Sequence, residues 1–145
     1  GVTLNMIPIL LVTHGPFAPS LIKTSEMLVG KSEKLEAITL EANDNVKLFQ
    51  DKIREKLLEL DEGDGVLTFV DLLGGSPYNA VASSLSENSE CLTGLNLSML
   101  LTALEARDYC NLEELKEECR NAAKVSVVSV REHLQGIVLD DDDDD

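Results

Sequence analysis

The chain has 145 residues, 43% of them hydrophobic, and a net charge of −15. That length supports one domain with a proper core and not two comfortable ones, and no apolar run is long enough to cross a membrane. The body stays acidic, 21 acids against 12 bases, when the six aspartates Asp140 to Asp145 are set aside, so it lacks the clustered Lys and Arg that nucleic-acid phosphates require.

The five residues before Met6 read as an expression remnant. Met6 to Val12 is a continuous apolar run with no basic residues ahead of it and no small-residue cleavage site, which makes it a buried strand and not a signal peptide. Leu21, Ile22, Leu28 and Val29 give the next segment a helical apolar face, with Gly30 as its stop. Leu35 to Leu40 is a short second strand. Asn43 or Asp44 then caps the clearest helix of the chain, whose Val46, Phe49, Ile53, Leu57 and Leu60 fall on one stripe.

Gly65 to Val70 is a third apolar strand, ending at Asp71. Ser76-Pro77 opens another helix, with proline where its missing N–H costs nothing. Cys91 to Leu95 is a fourth strand; Leu97 to Ala106 and Leu112 to Ala123 are helices, the second with a capping-box start at Asn111 and Glu114. Val125 to Val130 reads as a β-branched fifth strand. Residues 6–133 form one domain and residues 134–145 an acidic, disordered tail. Cys91, Cys110 and Cys119 form no C-x-x-C and read as free thiols of a reducing compartment.

Alternating strands and helices imply an α/β fold, a three-layer doubly wound sandwich around a mostly parallel sheet. Ligands of such sheets lie beyond the carboxyl ends of the strands, where the strand order reverses. Thr13-His14-Gly15 follows the first strand and Asp71-Leu72-Leu73-Gly74-Gly75-Ser76 the third. In the order 2-1-3-4 these two clusters face each other. An imidazole offers one nitrogen as nucleophile while the other donates a hydrogen bond, and Asp71 is the candidate to hold that second nitrogen. Gly74 and Gly75 let backbone approach a ligand, and Ser76 with the amides that start its helix forms an anion cradle. Thr13 adds a hydroxyl beside the histidine. Nucleophile, orienting carboxylate and cradle together point to a phosphoryl group carried on His14. Singly, each has a plainer explanation as a turn residue, a strand-end cap or helix-start punctuation.

Other residues weigh less. His133 reads as surface. Leu72 and Leu73 either form an apolar docking patch or tuck into the core. Arg107 either complements a helix C-terminus or reaches an interface. No metal-ligand cluster and no nucleophile elbow is present, which sets a His/Asp hydrolase behind a carrier.

The stretches "LLVTHG", "LIKTSEMLVG", "VDLLGGSPYNA" and "GLNLSMLLTALEARD" resemble the IIA component of the mannose-fructose-sorbose family of the bacterial phosphoenolpyruvate-dependent sugar phosphotransferase system, from about Met6 to Val130. The resemblance implies a sheet of order 2-1-3-4 and a fifth C-terminal strand, open to an antiparallel placement and to exchange between the subunits of a homodimer. It implies that His14 accepts a phosphoryl group from the carrier protein HPr and passes it to a IIB component, which serves membrane IIC and IID partners. Asp71 then orients the imidazole; Thr13, Gly15, Gly74, Gly75 and Ser76 surround the phosphoryl group. The protein would be cytoplasmic and need neither cofactor nor metal. Two positions where the family often has tryptophan are Phe17 and Leu73 here. Alternatives are the phosphocarrier subunit of a dihydroxyacetone kinase system and a IIA-like regulatory sensing domain.

Overall fold

The computed structural model describes the backbone of residues 6–143 and the side chains of residues 6–137. Residues 1–5, read above as a remnant, lie outside the described residues. Four strands, β1 (Ile9–His14), β2 (Leu35–Leu40), β3 (Val66–Val70) and β4 (Ser89–Leu92), form one sheet in the order β2-β1-β3-β4, every pair parallel. Six helices accompany them among the described residues: α1 (Phe17–Val29), α2 (Val46–Leu60), α3 (Ser76–Ala82), α4 (Leu97–Ala106), α5 (Leu112–Val125) and α6 (Val130–Asp143).

The absence of polar alternation in β1 and β3 is explained by two cores, one on each face of the sheet. Ile9 and Leu11 of β1 and Leu67 and Phe69 of β3 pack on α1, α4 and α5 through Ala18, Met99, Leu100 and Leu115. Leu10 and Val12, with Val66 and Val70, point the other way into Phe49, Ile53, Leu57, Ala80 and Val81 of α2 and α3. That alternation decides the active end as well. Thr13 continues the α1 face, and His14 continues the α3 face. Crossing from β2 past β1 to β3 reverses the direction of winding, so the β1 and β3 ends flank the expected crevice.

Boundaries move where several residues could cap. Asn45, not Asn43 or Asp44, caps α2, accepting the Leu48 N–H at 3.0 Å, while Asp44 takes the Glu41 N–H. β4 begins at Ser89 and ends before Gly94, whose φ of +75° turns the chain so that the Leu95 N–H reaches the Val70 carbonyl. The Asn111–Glu114 capping box forms as the sequence predicts.

Among the described residues, no fifth strand pairs within the single chain. Val125 closes α5, Val130 opens α6, and β4 remains the edge of a four-stranded sheet. Alternating valines match a strand pattern, but the ladder of α5 runs on until the Ser126 N–H bonds the Ala123 carbonyl, and residues 127–129 lead into α6 without pairing to the β4 edge. Residues 134–143, expected to be a disordered tail, lie in α6; Arg131, Leu134 and Gln135 are good helix formers.

Arg107 differs from its expected role. It is buried, and it donates from Nη1 to the Lys34 carbonyl at 3.0 Å and from Nη2 to the Glu33 carbonyl at 2.6 Å. The guanidinium therefore fastens the end of α4 to the turn before β2, where Lys34 sits at φ +51°.

Candidate active site

β1 ends at His14, and Asp71 immediately follows β3. Because Val12 and Val70 are register partners, the two side chains come together from adjacent strands. Asp71 Oδ2 lies 2.8 Å from His14 Nδ1 and accepts the His14 backbone N–H at 2.9 Å. Its other oxygen, Oδ1, accepts the Leu72 N–H at 3.0 Å. The carboxylate is thus anchored by backbone on both oxygens and holds the ring through one of them. Partial burial pushes the Asp71 carboxyl up, but the hydrogen bonds and charge of His14 outweigh it. The net result is a carboxyl held below the ordinary aspartate range.

With Nδ1 engaged, Nε2 is the free ring nitrogen. The His14 side chain is 49% exposed while that of Asp71 is 14% exposed, so the nucleophile is open and its orienter is shielded. Gly74 and Gly75 adopt φ of +82° and +87°, a left-handed path that side-chain-bearing residues avoid. A Cβ at Gly75 would lie 3.6 Å from His14 Cε1 and 3.9 Å from Nε2, so this backbone runs directly beside the reacting edge of the ring. Gly75 also caps α3, and Ser76 is its first residue.

Two sequence candidates also serve the scaffold. Thr13 is fully buried, and its Oγ1 accepts the Ala18 N–H at 3.0 Å; the strand alternation that turns His14 toward α3 turns Thr13 toward α1, so its hydroxyl fixes the start of α1. Gly15 is committed too: its N–H bonds the Leu40 carbonyl at 2.9 Å, and its φ of +50° makes the turn out of β1. Leu72 and Leu73 are exposed, as is Phe17 at 43%, so the two leucines do not tuck into the core. His133 is on the surface. Cys91, Cys110 and Cys119 are free thiols; burial pushes Cys91 and Cys119 up to about 12, which leaves them unreactive. No group of acids, histidines and cysteines among the described residues could hold a metal ion.

The sequence reading overlooked the β2 side. A hollow beside His14 is lined by Gly15, Leu40, Glu41 and Ala42. The signal was available: Glu41 follows a strand at its carboxyl end, where doubly wound folds place ligands.

The site is an exposed, carboxylate-oriented imidazole at the switch point of a doubly wound parallel sheet. The comparisons give the family. The sequence model of the PTS system fructose IIA component family matches residues 8–120, and the chain belongs to that family of the sugar phosphotransferase system, whose general role is to carry phosphoryl groups. It is 31% identical over 134 residues to the PTS system fructose-specific EIIA component of Bacillus subtilis, covering 91% of this chain and 92% of that one. It is 39% identical over 104 residues to the PTS system mannose-specific EIIAB component of Escherichia coli K12, covering 70% of this chain and 32% of that longer protein. Among solved structures, EIIA from Streptococcus agalactiae superposes with a TM-score of 0.77 at 26% identity, covering 86% of this chain and 97% of that one. The PTS IIA protein associated with the fucose utilization operon of Streptococcus pneumoniae gives 0.78 at 28% identity, covering 92% and 99%.

Proposed function

We propose that His14 is the phosphorylated residue of this IIA protein: it takes a phosphoryl group on Nε2 from phosphorylated HPr and hands it to a IIB component. The observation that carries this is the 2.8 Å bond from Nδ1 to Asp71, which leaves Nε2 as the exposed nucleophile. The imidazole attacks with its Nε2 lone pair while its Nδ1 proton stays on the bond to Asp71. The bond from phosphorus to the donor breaks as the Nε2–P bond forms. Positive charge gained by the ring is stabilised by the carboxylate, and the backbone at Gly74, Gly75 and Ser76 cradles the phosphoryl oxygens.

Residues 6–133 are the functional unit, the setting is the cytoplasm, and the phosphoryl group passes through IIB to sugar entering by IIC and IID membrane partners. No helix of the described residues is long and apolar enough to cross a membrane. The chain acts as a homodimer: Val125, Val127, Val128 and Val130 are all exposed, and so many uncovered β-branched residues in one segment favour a partner surface.

Incubation with enzyme I, HPr and labelled phosphoenolpyruvate tests the central reading. Acid-labile phosphate should map to His14 and vanish in His14→Ala; undiminished labelling of that variant refutes the assignment, and continuous release of free phosphate points to a hydrolase instead. Sedimentation equilibrium tests the dimer, which a monomer at micromolar concentration rules out.

A further inference from the structure

Charge is unevenly placed around His14. On the β4 side of the carboxyl end of the sheet, Arg120 and Lys124 line a hollow with Leu73 and Thr93. On the β2 side, the hollow that His14 itself lines with Gly15, Leu40 and Ala42 carries one carboxylate, that of Glu41. Backbone fixes this neighbourhood. His14 and Leu40 are register partners on parallel strands, the Gly15 N–H bonds the Leu40 carbonyl at 2.9 Å, and Asp44 Oδ2 holds the Glu41 N–H at 2.8 Å. Glu41 therefore stands one residue beyond the strand partner of the nucleophile.

Nothing described neutralises it. The Glu41 side chain is exposed, and the Thr39 hydroxyl reaches its Oε1 only at 3.4 Å, long for a hydrogen bond. It forms no ion pair with any described residue, Lys47 in the first turn of α2 included. Before transfer this carboxylate shares its hollow with an imidazole whose Nε2 offers a lone pair. After transfer it shares it with phosphoryl oxygens that carry close to two negative charges. Like charges across one hollow repel, so the carboxylate raises the energy of the phosphorylated form and leaves the unmodified form nearly untouched. Asp71 and the amide cradle act in the opposite sense. A carrier that bound its cargo with those alone would be slower to give it up.

We propose that Glu41 sets the transfer potential of phosphorylated His14: its charge destabilises the Nε2–P bond relative to free imidazole and so favours handing the group on. The inference rests on the phosphocarrier reading and deepens it. Glu41 acts through space. It makes and breaks no bond and takes no proton, and the phosphoryl group moves as given above.

The test is an equilibrium. Phosphorylated HPr and this protein are mixed, quenched and separated, and the constant for phosphoryl exchange between them is read from the label on each. An equilibrium constant does not depend on how the two proteins meet, so any contact Glu41 makes while they are docked cancels. Wild type is compared with Glu41→Gln, with Glu41→Lys, and with Glu55→Gln, which removes an exposed charge from the middle of α2. At low salt Glu41→Gln should shift the constant about two- to fivefold toward phosphorylated His14, and Glu41→Lys should shift it further the same way. Both shifts should shrink at about 0.5 M salt, and Glu55→Gln should match wild type. An unchanged or opposite shift in Glu41→Gln, a shift that salt does not reduce, no further shift in Glu41→Lys, or an equal shift in Glu55→Gln overturns the role of Glu41 and leaves His14 as the carrier. Absence of label on His14 of the wild type overturns the phosphocarrier reading and this inference with it.

Discussion

A single oxygen of Asp71 serves both the ring and the backbone of His14, at 2.8 Å from Nδ1 and 2.9 Å from the main-chain nitrogen. The nucleophile and its orienter are therefore locked together at two points. The second point is part of the backbone of β1 itself. Rotation of the imidazole away from Asp71 would leave the carboxylate in place, still bonded to His14 N–H and Leu72 N–H.

Asp71→Ala should slow labelling of His14 without abolishing it. A hydrogen bond to a charged group contributes about 1.5–3 kcal/mol, so the rate should fall roughly 10- to 100-fold. Rapid-quench measurement with phosphorylated HPr checks this. A wild-type rate removes Asp71 from the mechanism.

The same aspartate gives acid sensitivity of definite sign. Its folded-state carboxyl lies below the ordinary value of 3.8, so the ionised form stabilises the fold. That contribution is complete above pH about 4 and is lost as pH falls from there through the folded-state value. Urea unfolding of wild type and Asp71→Ala should differ at pH 7 and converge toward pH 3. A gap that widens on acidification contradicts the assignment.

Gly75→Ala should damage transfer more than stability. Its φ of +87° with ψ of 173° lies in a region essentially confined to glycine and costs a side-chain-bearing residue about 1–3 kcal/mol. The new methyl would sit 3.9 Å from Nε2, where the phosphoryl group must approach. A labelling rate reduced tenfold or more is expected, since small displacements of reacting groups cost about that much or more. Circular dichroism should show a folded protein; full activity would place the cradle elsewhere.

Arg107→Ala tests the scaffold at the opposite end of the sheet. It strips the guanidinium from the Glu33 and Lys34 carbonyls and should destabilise the domain by about 2–4 kcal/mol. Arg107→Lys should recover only part, because an ammonium lacks the two-pronged reach. Unfolding midpoints decide this, and labelling by the folded fraction should be unaffected.

The alternation of apolar runs and amphipathic stripes was enough to determine four buried strands and the helices between them, because each run records locally which faces are covered; the strand order came from the family resemblance, and the structure has it as β2-β1-β3-β4. The same alternation made His14 and Asp71 candidates to meet, since both residues terminate buried strands; the strand order that brings those two strands together is what completes the pairing. Local pattern did not decide three things. Thr13 and His14 are neighbours in sequence, yet strand pleating sends them to opposite faces, so only one is at the site. The valines of Val125 to Val130 fit a strand, but a strand is a hydrogen-bonded relationship with another chain segment, and within the single chain residues 126–129 link α5 to α6 without such a partner. Glu41 and Arg107 are ordinary charged residues by composition. Their places, at the rim beside the imidazole and in a buried turn 73 residues away from its partner Lys34, are set by tertiary packing, which local sequence does not encode.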